Sequence, residues 1–149
     1  MESARPARAD ELHRVSELAQ QARRELVTER GGPLLVAHDL GAVPEMMVGS
    51  SVLVGCIEDV IVGYGLVRVE QLRDGSRLGV LDEIYVEPEA RAVGVGEALI
   101  TEVFDLCRRE GCRGVDARAL PGMRATKNFF ETFGLVARSI LVHRSLEDE

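Results

Sequence analysis

The sequence predicts an α+β fold, with a central, mostly antiparallel sheet and helices on both faces. Three observations carry that prediction. Two β-forming runs, Ser51–Ile57 and Val60–Val69, are separated only by Glu58 and Asp59, the spacing of a tight hairpin. Apolar residues recur every three or four positions at Leu12, Val15, Leu18, Ala22 and Leu26, and again at Leu99, Val103 and Leu106. That is the period of helices with one buried side. Between these regions, Leu81–Arg109 reads as a strand, a glycine-containing loop and a helix in that order.

Length and composition bound the answer. At 149 residues the chain is expected to form one domain, residues 1–149. A chain of this size buries roughly 70% of its unfolded surface, enough for a core. Hydrophobic residues make up 46% of it, which argues against disorder. The net charge of −7 argues against non-specific nucleic-acid binding and favours a cationic or neutral partner. No apolar run approaches the roughly 18 residues that a membrane span needs. The opening MESARPARADEL has no apolar signal core, so a cytoplasmic protein is expected. Cys56, Cys107 and Cys112 have no paired spacing, and His13, His38 and His143 are far apart, so no metal is expected. The basic residues are nearly all arginine, Lys127 being the sole lysine, which reads as the coding bias of a GC-rich, bacterial genome.

Taken in order, Arg5–Ala7 predicts a short first strand, and a helix runs from Asp10 until Gly31, Gly32 and Pro33 end it. Pro33–Leu40 predicts a second short helix, and the stretch up to Ser50 gives no clear pattern. After the hairpin, Arg73–Ser76 makes a turn into the strand that ends at Val86, where Pro88 cannot continue a ladder. Gly111 closes the following helix. Gly114–Leu120 predicts a strand with Val115, Ala117 and Ala119 on one face, and Pro121 and Gly122 break it. A helix follows over Arg124–Phe133, then a strand or strand pair over Leu135–Leu146, then a solvated tail ending LEDE. An edge strand at that end wants a partner, which predicts a homodimer.

The chemistry lies in the loop. Glycines just before a helix let a ligand approach the backbone. The first helical N–H groups lack internal partners, and the helix dipole is positive there. Such a turn suits a phosphate or diphosphate, and Arg91 adds a cation at its mouth. The Walker pattern is absent, and the loop lacks the βαβ context of a dinucleotide site.

The motif R-x-x-G-x-G (Arg91, Gly94, Gly96), preceded by E-I-Y-V-x-P (Glu83–Pro88), resembles the acyl-CoA-binding motif of the GCN5-related N-acetyltransferases (GNAT). NFFETFGL (Asn128–Leu135) resembles that family's second motif. The resemblance covers roughly Val52–Leu146. It implies the GNAT fold, with the strands Leu81–Val86 and Gly114–Leu120, fourth and fifth in that fold, splayed apart around pantetheine. It implies acetyl transfer from acetyl-CoA to an amine of a small molecule or peptide. Backbone groups of Ile84, Tyr85 and Val86 would hold the pantetheine arm. Arg91, Ala92, Val93, Gly94, Val95 and Gly96 would hold the diphosphate of coenzyme A. Ala92 stands where the family often has glycine, outside the core of the motif, and little damage is expected.

An amine attacks only when unprotonated, so some group must take its proton. Asp82 and Glu83 occupy adjacent strand positions and are expected to face opposite ways, so that one alone looks into the cleft. Glu83 is the candidate base, through a water, or else attracts a cationic substrate or caps a neighbour; Asp82 is the reserve. The family's tyrosine acid falls at Phe130, which has no proton to give. Phe129, Phe130 and Phe133 otherwise read as core. Asn128 either bonds the pantetheine arm or caps local backbone, and Arg124 and Lys127 either reach a CoA phosphate or stay solvated. Without that acid, a non-catalytic acyl-CoA-binding module is the alternative reading, and an interaction domain with plain turn glycines is a second.

Overall fold

The structure is a computed structural model and describes residues 1–147. One sheet contains β1 (Glu2–Pro6), β2 (Ser51–Ile57), β3 (Val60–Gln71), β4 (Arg77–Val86) and β5 (Cys112–Ala117), in that spatial order. All neighbours are antiparallel except β4 and β5, which run parallel. The helices are α1 (Leu12–Leu26), α2 (Gly32–Leu34), α3 (Val43–Val48), α4 (Val95–Arg109) and α5 (Arg124–Thr132). None of them is long and apolar enough to cross a membrane, among the described residues.

The pleat sends successive side chains to opposite faces, and both faces are covered. Val15, Leu18, Ala19 and Ala22 of α1 bury one face against Val54, Tyr64, Leu66 and Tyr85. Leu99, Ile100, Val103 and Cys107 of α4, with Phe130 of α5, bury the other against Leu53, Val67 and Leu81. Each large side chain so buried stabilises by roughly 1.5–3 kcal/mol. Two strand glycines let α4 settle on the sheet. A Cβ on Gly55 would stand 2.6 Å from Val95 Cγ1, and one on Gly79 would stand 2.4 Å from Cys107 Sγ.

The hairpin turn falls at Glu58 and Asp59, with Glu58 in the left-handed region. Other boundaries move. The first strand is Glu2–Pro6 rather than Arg5–Ala7, because it pairs with β2 along that whole length. The fifth strand is Cys112–Ala117 rather than Gly114–Leu120, since its ladder to β4 ends at Ala117. The second short helix is one α-turn, α2, followed by a π-type turn over Leu35–Asp39, and the unassigned stretch contains α3. No strand forms over Leu135–Leu146, whose residues find no ladder partner in the described chain. Of the tail, Asp148 and Glu149 lie outside the described residues.

Two features of β4 position the site. Its ladder to β5 joins Arg77, Gly79, Val80 and Leu81 and then stops, while β4 runs on to Val86. The expected splay is therefore present. On the other side, Leu66 pairs with Glu83 and Val67 with Leu81, so Asp82 is an extra residue. This bulge reverses the phase of the strand. Gly79 and Leu81 face α4, whereas Glu83 and Tyr85 face α1.

Candidate active site

The free edge of β4 is built by alternation. The Glu87 N–H donates to the Val62 carbonyl at 2.8 Å, and the Tyr85 carbonyl faces Gly63 on β3. In an antiparallel pair, alternate residues turn both backbone groups to the partner. Glu83 and Tyr85 therefore commit their backbone to β3, and Ile84 and Val86 turn theirs toward the gap. Of the three residues expected to offer backbone groups, Ile84 and Val86 turn theirs toward the gap, where the Val86 carbonyl accepts from Arg91 Nε at 2.7 Å. Tyr85 is corrected: its backbone belongs to the β3 ladder, and its side chain faces α1.

The loop after β4 leaves a run of donors. Pro88–Ala90 form a short 3-10 turn, Ala92 has φ 69° and Gly94 has φ 93°, and α4 starts at Val95. The first capping bond is from the Ala98 N–H to the Gly94 carbonyl, 3.0 Å. The N–H groups from Ala92 to Glu97 have no backbone acceptor among the described residues. Buried Val95 pins the loop to the core, and Val93 points to solvent. Gly96 also serves packing, because a Cβ there would lie 3.1 Å from Phe129 Cε1. Glu2 of β1 brings a carboxylate beside Gly94, with Oε1 3.1 Å from where a Cβ would stand.

Both candidate carboxylates lie on the α1 side of β4, against the expectation that they face opposite ways. Tyr64 and Arg68 are same-face residues of β3, and each holds one of them. Tyr64 donates its hydroxyl to Glu83 Oε1 at 2.7 Å. Arg68 donates to Asp82 at 2.7 and 3.3 Å. The bulge at Asp82 is the cause, since it turns the following residue onto the same face as the extra one. Glu83 is held further by Arg23 of α1, at 2.9 and 3.0 Å, with side-chain exposures of 11% for Arg23 and 7% for Glu83. Arg23 also donates to the Gly41 carbonyl at 2.9 Å. Burial, then the adjacent Glu83 charge, raises the Tyr64 hydroxyl well above its ordinary pKa, so it stays a donor.

A second network joins the loop to α1. Arg91 donates Nε to the Val86 carbonyl at 2.7 Å and Nη2 to Glu25 Oε1 at 3.1 Å. Its guanidinium lies 5.3 Å from the Tyr85 ring centre, and the Tyr85 hydroxyl donates to Glu25. Burial, followed by this bond to Glu25, raises the Tyr85 pKa. For Glu25 burial pushes upward, but bonds from Tyr85 and Arg91 outweigh it, and its pKa is lowered.

Phe130 is buried in the α4 core, as expected of an apolar stripe. Asn128 lies within α5, exposed, where it cannot cap the helix start, and Met123 holds that position. Arg124 and Lys127 are exposed on the same helix. Arg23, Glu25 and Tyr64 were not singled out from sequence. For Tyr64 there was a signal, a tyrosine between two strand glycines whose buried hydroxyl needs a partner. For the other two there was none, since their partners are 60 and 66 residues away.

A cleft of about 280 Å³ opens between α1 and residues 36–44, lined by Gln20, Arg23, Leu40 and Pro44 among others. It borders the guanidinium that holds Glu83. A larger cleft, about 450 Å³, lies at the far end of α4 beside Arg109 and Glu110, away from the glycine loop.

A family model described as the acetyltransferase (GNAT) family matches residues 12–135. The bovine (Bos taurus) thialysine N-epsilon-acetyltransferase is 28% identical over 74 residues, a match that covers 50% of this chain. It spans 44% of that enzyme, less than half its length. Among solved structures, a mutant protein from Bacillus halodurans superposes with a TM-score of 0.81 at 17% identity, covering 97% of this chain and 99% of that one. An aminoglycoside N-acetyltransferase in complex with CoA superposes with a TM-score of 0.71 at 18% identity, covering 98% and 95%. At such identities the superpositions speak to the fold, while the sequence motifs and the family match speak to descent: the chain belongs to the acetyltransferase (GNAT) family.

Proposed function

We propose that the protein transfers an acetyl group from acetyl-CoA to an amine of a small molecule or peptide. The observation that carries this reading is the pairing of two unsatisfied backbone features. The β5-facing edge of β4 is open at Ile84 and at the Val86 N–H, and six consecutive N–H groups at the start of α4, Ala92 to Glu97, have no backbone acceptor among the described residues. The first suits an extended amide-bearing arm, and the second suits a diphosphate. These residues fit coenzyme A, which when bound supplies the acyl thioester. Arg91 adds charge at the loop, and Asn128 is the α5 side chain assigned to the arm.

The protein's own part is to orient the amine and take its proton. A free alkyl amine has a pKa near ~10.4, so attack needs a proton acceptor. Glu83 is that acceptor through a water, with Tyr64 and Arg23 fixing its carboxylate; Asp82, held by Arg68, is the reserve. The cleft beside Arg23 is where the acceptor enters. The aminoglycoside and thialysine named for the relatives are amines, which supports an amine acceptor here. Cytoplasmic action suits the three cysteines, none in a disulfide among the described residues.

A second reading, a non-catalytic acyl-CoA-binding module, is favoured by Phe130. It fills the family's tyrosine position with buried carbon, and both tyrosine hydroxyls are already committed to Glu83 and Glu25.

Thermal melting with acetyl-CoA, CoA and ATP tests the site. Ligand at ~100 times its dissociation constant stabilises by about 2.7 kcal/mol, a shift of several degrees. Shifts with both CoA forms and little with ATP are expected, followed by thiol release with an amine panel. Binding without thiol release from any amine selects the module. No shift with either CoA form removes both readings.

A further inference from the structure

The cleft beside Arg23 has a wall of mixed origin. Val43 and Pro44 open α3, and Val36 and Leu40 come from the turn before it. That turn is π-type, closed by the Leu40 N–H on the Leu35 carbonyl at 3.0 Å, a geometry frequent at functional sites. Leu40 continues inward into a small apolar cluster with Leu35 and Leu120, against which Met46 and Met123 pack. Unbranched methionines adapt to what lies beside them. At about 280 Å³ the cleft is just under the range of small-ligand sites, roughly 300–1,000 Å³, so it suits a compact ligand.

Its charge decides more than its size. Among the described residues no carboxylate lines the cleft, and the polar side chains of the lining are Gln20 and Arg23. Arg23 is already neutralised. Its Nη1 and Nη2 donate to the Glu83 carboxylate at 2.9 and 3.0 Å, and also to the carbonyls of Ala19 at 3.4 Å and Gly41 at 2.9 Å. The pair presents no net charge to the cleft. Asp39 and Glu45, the carboxylates nearest to the wall in sequence, are exposed and outside the lining, and Asp39 faces His38 at 3.1 Å. The chain's net charge of −7 is therefore carried elsewhere.

We infer that the acceptor is a compact primary amine with an apolar body and no second cationic group. The inference rests on the acetyl-transfer reading and names the substrate class for that site. One ammonium is answered by Glu83, through the water that carries its proton, and the carbon body then lies on Val36, Leu40 and Val43. A second ammonium would leave water with no carboxylate to receive it, and the Arg23 guanidinium would repel it. Polyamines and aminoglycosides are disfavoured on that ground, although the acidity of the whole chain attracts them. Overall charge governs approach, but what the cleft would leave unpaired governs which amine reacts.

Thiol release from acetyl-CoA, with kcat/KM measured for each amine of a panel, tests it. Phenethylamine and isopentylamine are the apolar monoamines; putrescine, spermidine and kanamycin carry further ammonium groups. The first two should lead by at least about a hundredfold. Ala42→Asp puts a carboxylate on the cleft wall at the N-cap of α3, a position that favours Asp, so the variant should keep wild-type helix content. It should narrow the preference by about tenfold or more in favour of putrescine. A polycation that reacts as well as either monoamine in the wild type overturns the inference and leaves acetyl transfer standing. So does an unchanged preference in the folded variant. No thiol release from any amine, with both CoA forms still raising the melting temperature, removes acetyl transfer and this inference together. If the variant does not fold, the wild-type ranking decides alone.

Discussion

Arg91 and Glu25 are joined across 66 residues of sequence by a hydrogen bond of 3.1 Å. The bond ties the loop arginine to the end of α1, and a diphosphate at the loop would compete with Glu25 for it. Glu25→Gln should therefore tighten CoA binding several-fold by freeing Arg91. Both partners are 40–49% exposed, so the gain should shrink as salt rises. Calorimetric titration of CoA at two ionic strengths reads it. Equal or weaker binding by the variant would show that Glu25 orients Arg91 for the ligand instead.

Glu83 is held by one tyrosine and one arginine in a nearly dry place. Glu83→Gln leaves Arg23 facing a neutral amide, at a cost of about 2 kcal/mol in stability. If Glu83 takes the amine proton, turnover drops by roughly a hundredfold or more, and the acidic limb of the kcat/KM profile flattens. A lower rate with the same profile would assign Glu83 to positioning. An unchanged rate would leave Asp82 as the candidate.

The two left-handed residues of the loop predict opposite outcomes. Ala92 adopts φ 69°, a conformation that suits glycine. Ala92→Gly should stabilise by about 0.5–1 kcal/mol, the strain relieved less the added flexibility, which melting reads as a rise of roughly 2 °C. CoA binding should be kept. Gly94→Asp adds both strain and a carboxylate next to Glu2, and should abolish the CoA-dependent shift. Normal CoA binding by that variant would mean the diphosphate lies elsewhere.

Glu11 gives the acid side of stability a named source. Hydrogen bonds from Arg5, then from the Arg8 N–H, hold its carboxyl down to about 2. A depressed folded pKa gives stability that is complete above the unfolded value, near ~4.3, and is lost as pH falls toward 2. Melting temperature should therefore decline through that window, and Glu11→Gln should flatten the decline. Identical acid slopes in the two proteins would assign it to other carboxylates.

Much of this protein was legible in its sequence because the signals are local. The period of Val15, Leu18 and Ala22 set α1, the Glu58–Asp59 spacing set the hairpin, and Arg91, Gly94 and Gly96 marked the loop. Failures came where distant pairing decides. Leu135–Leu146 has the composition of a strand, but composition supplies no neighbour, and the described chain gives it none. The helix over Arg124–Phe133 starts where expected, but Asn128 lies within it rather than at its start, so the capping alternative for that side chain falls to Met123.

By itself, then, the sequence determined α1, the β2–β3 hairpin, β4, α4 and α5, the order in which they follow and the phosphate-type loop, all of which rest on contacts within a few residues. Tertiary structure alone decided which groups meet in the site. One extra residue in the β3–β4 register, Asp82, reversed the faces of β4 and brought Glu83 to Arg23 and Tyr64. A strand's side chains alternate strictly, so a single unpaired residue changes every face after it. That register is fixed by packing against two helix layers, and no local pattern records it.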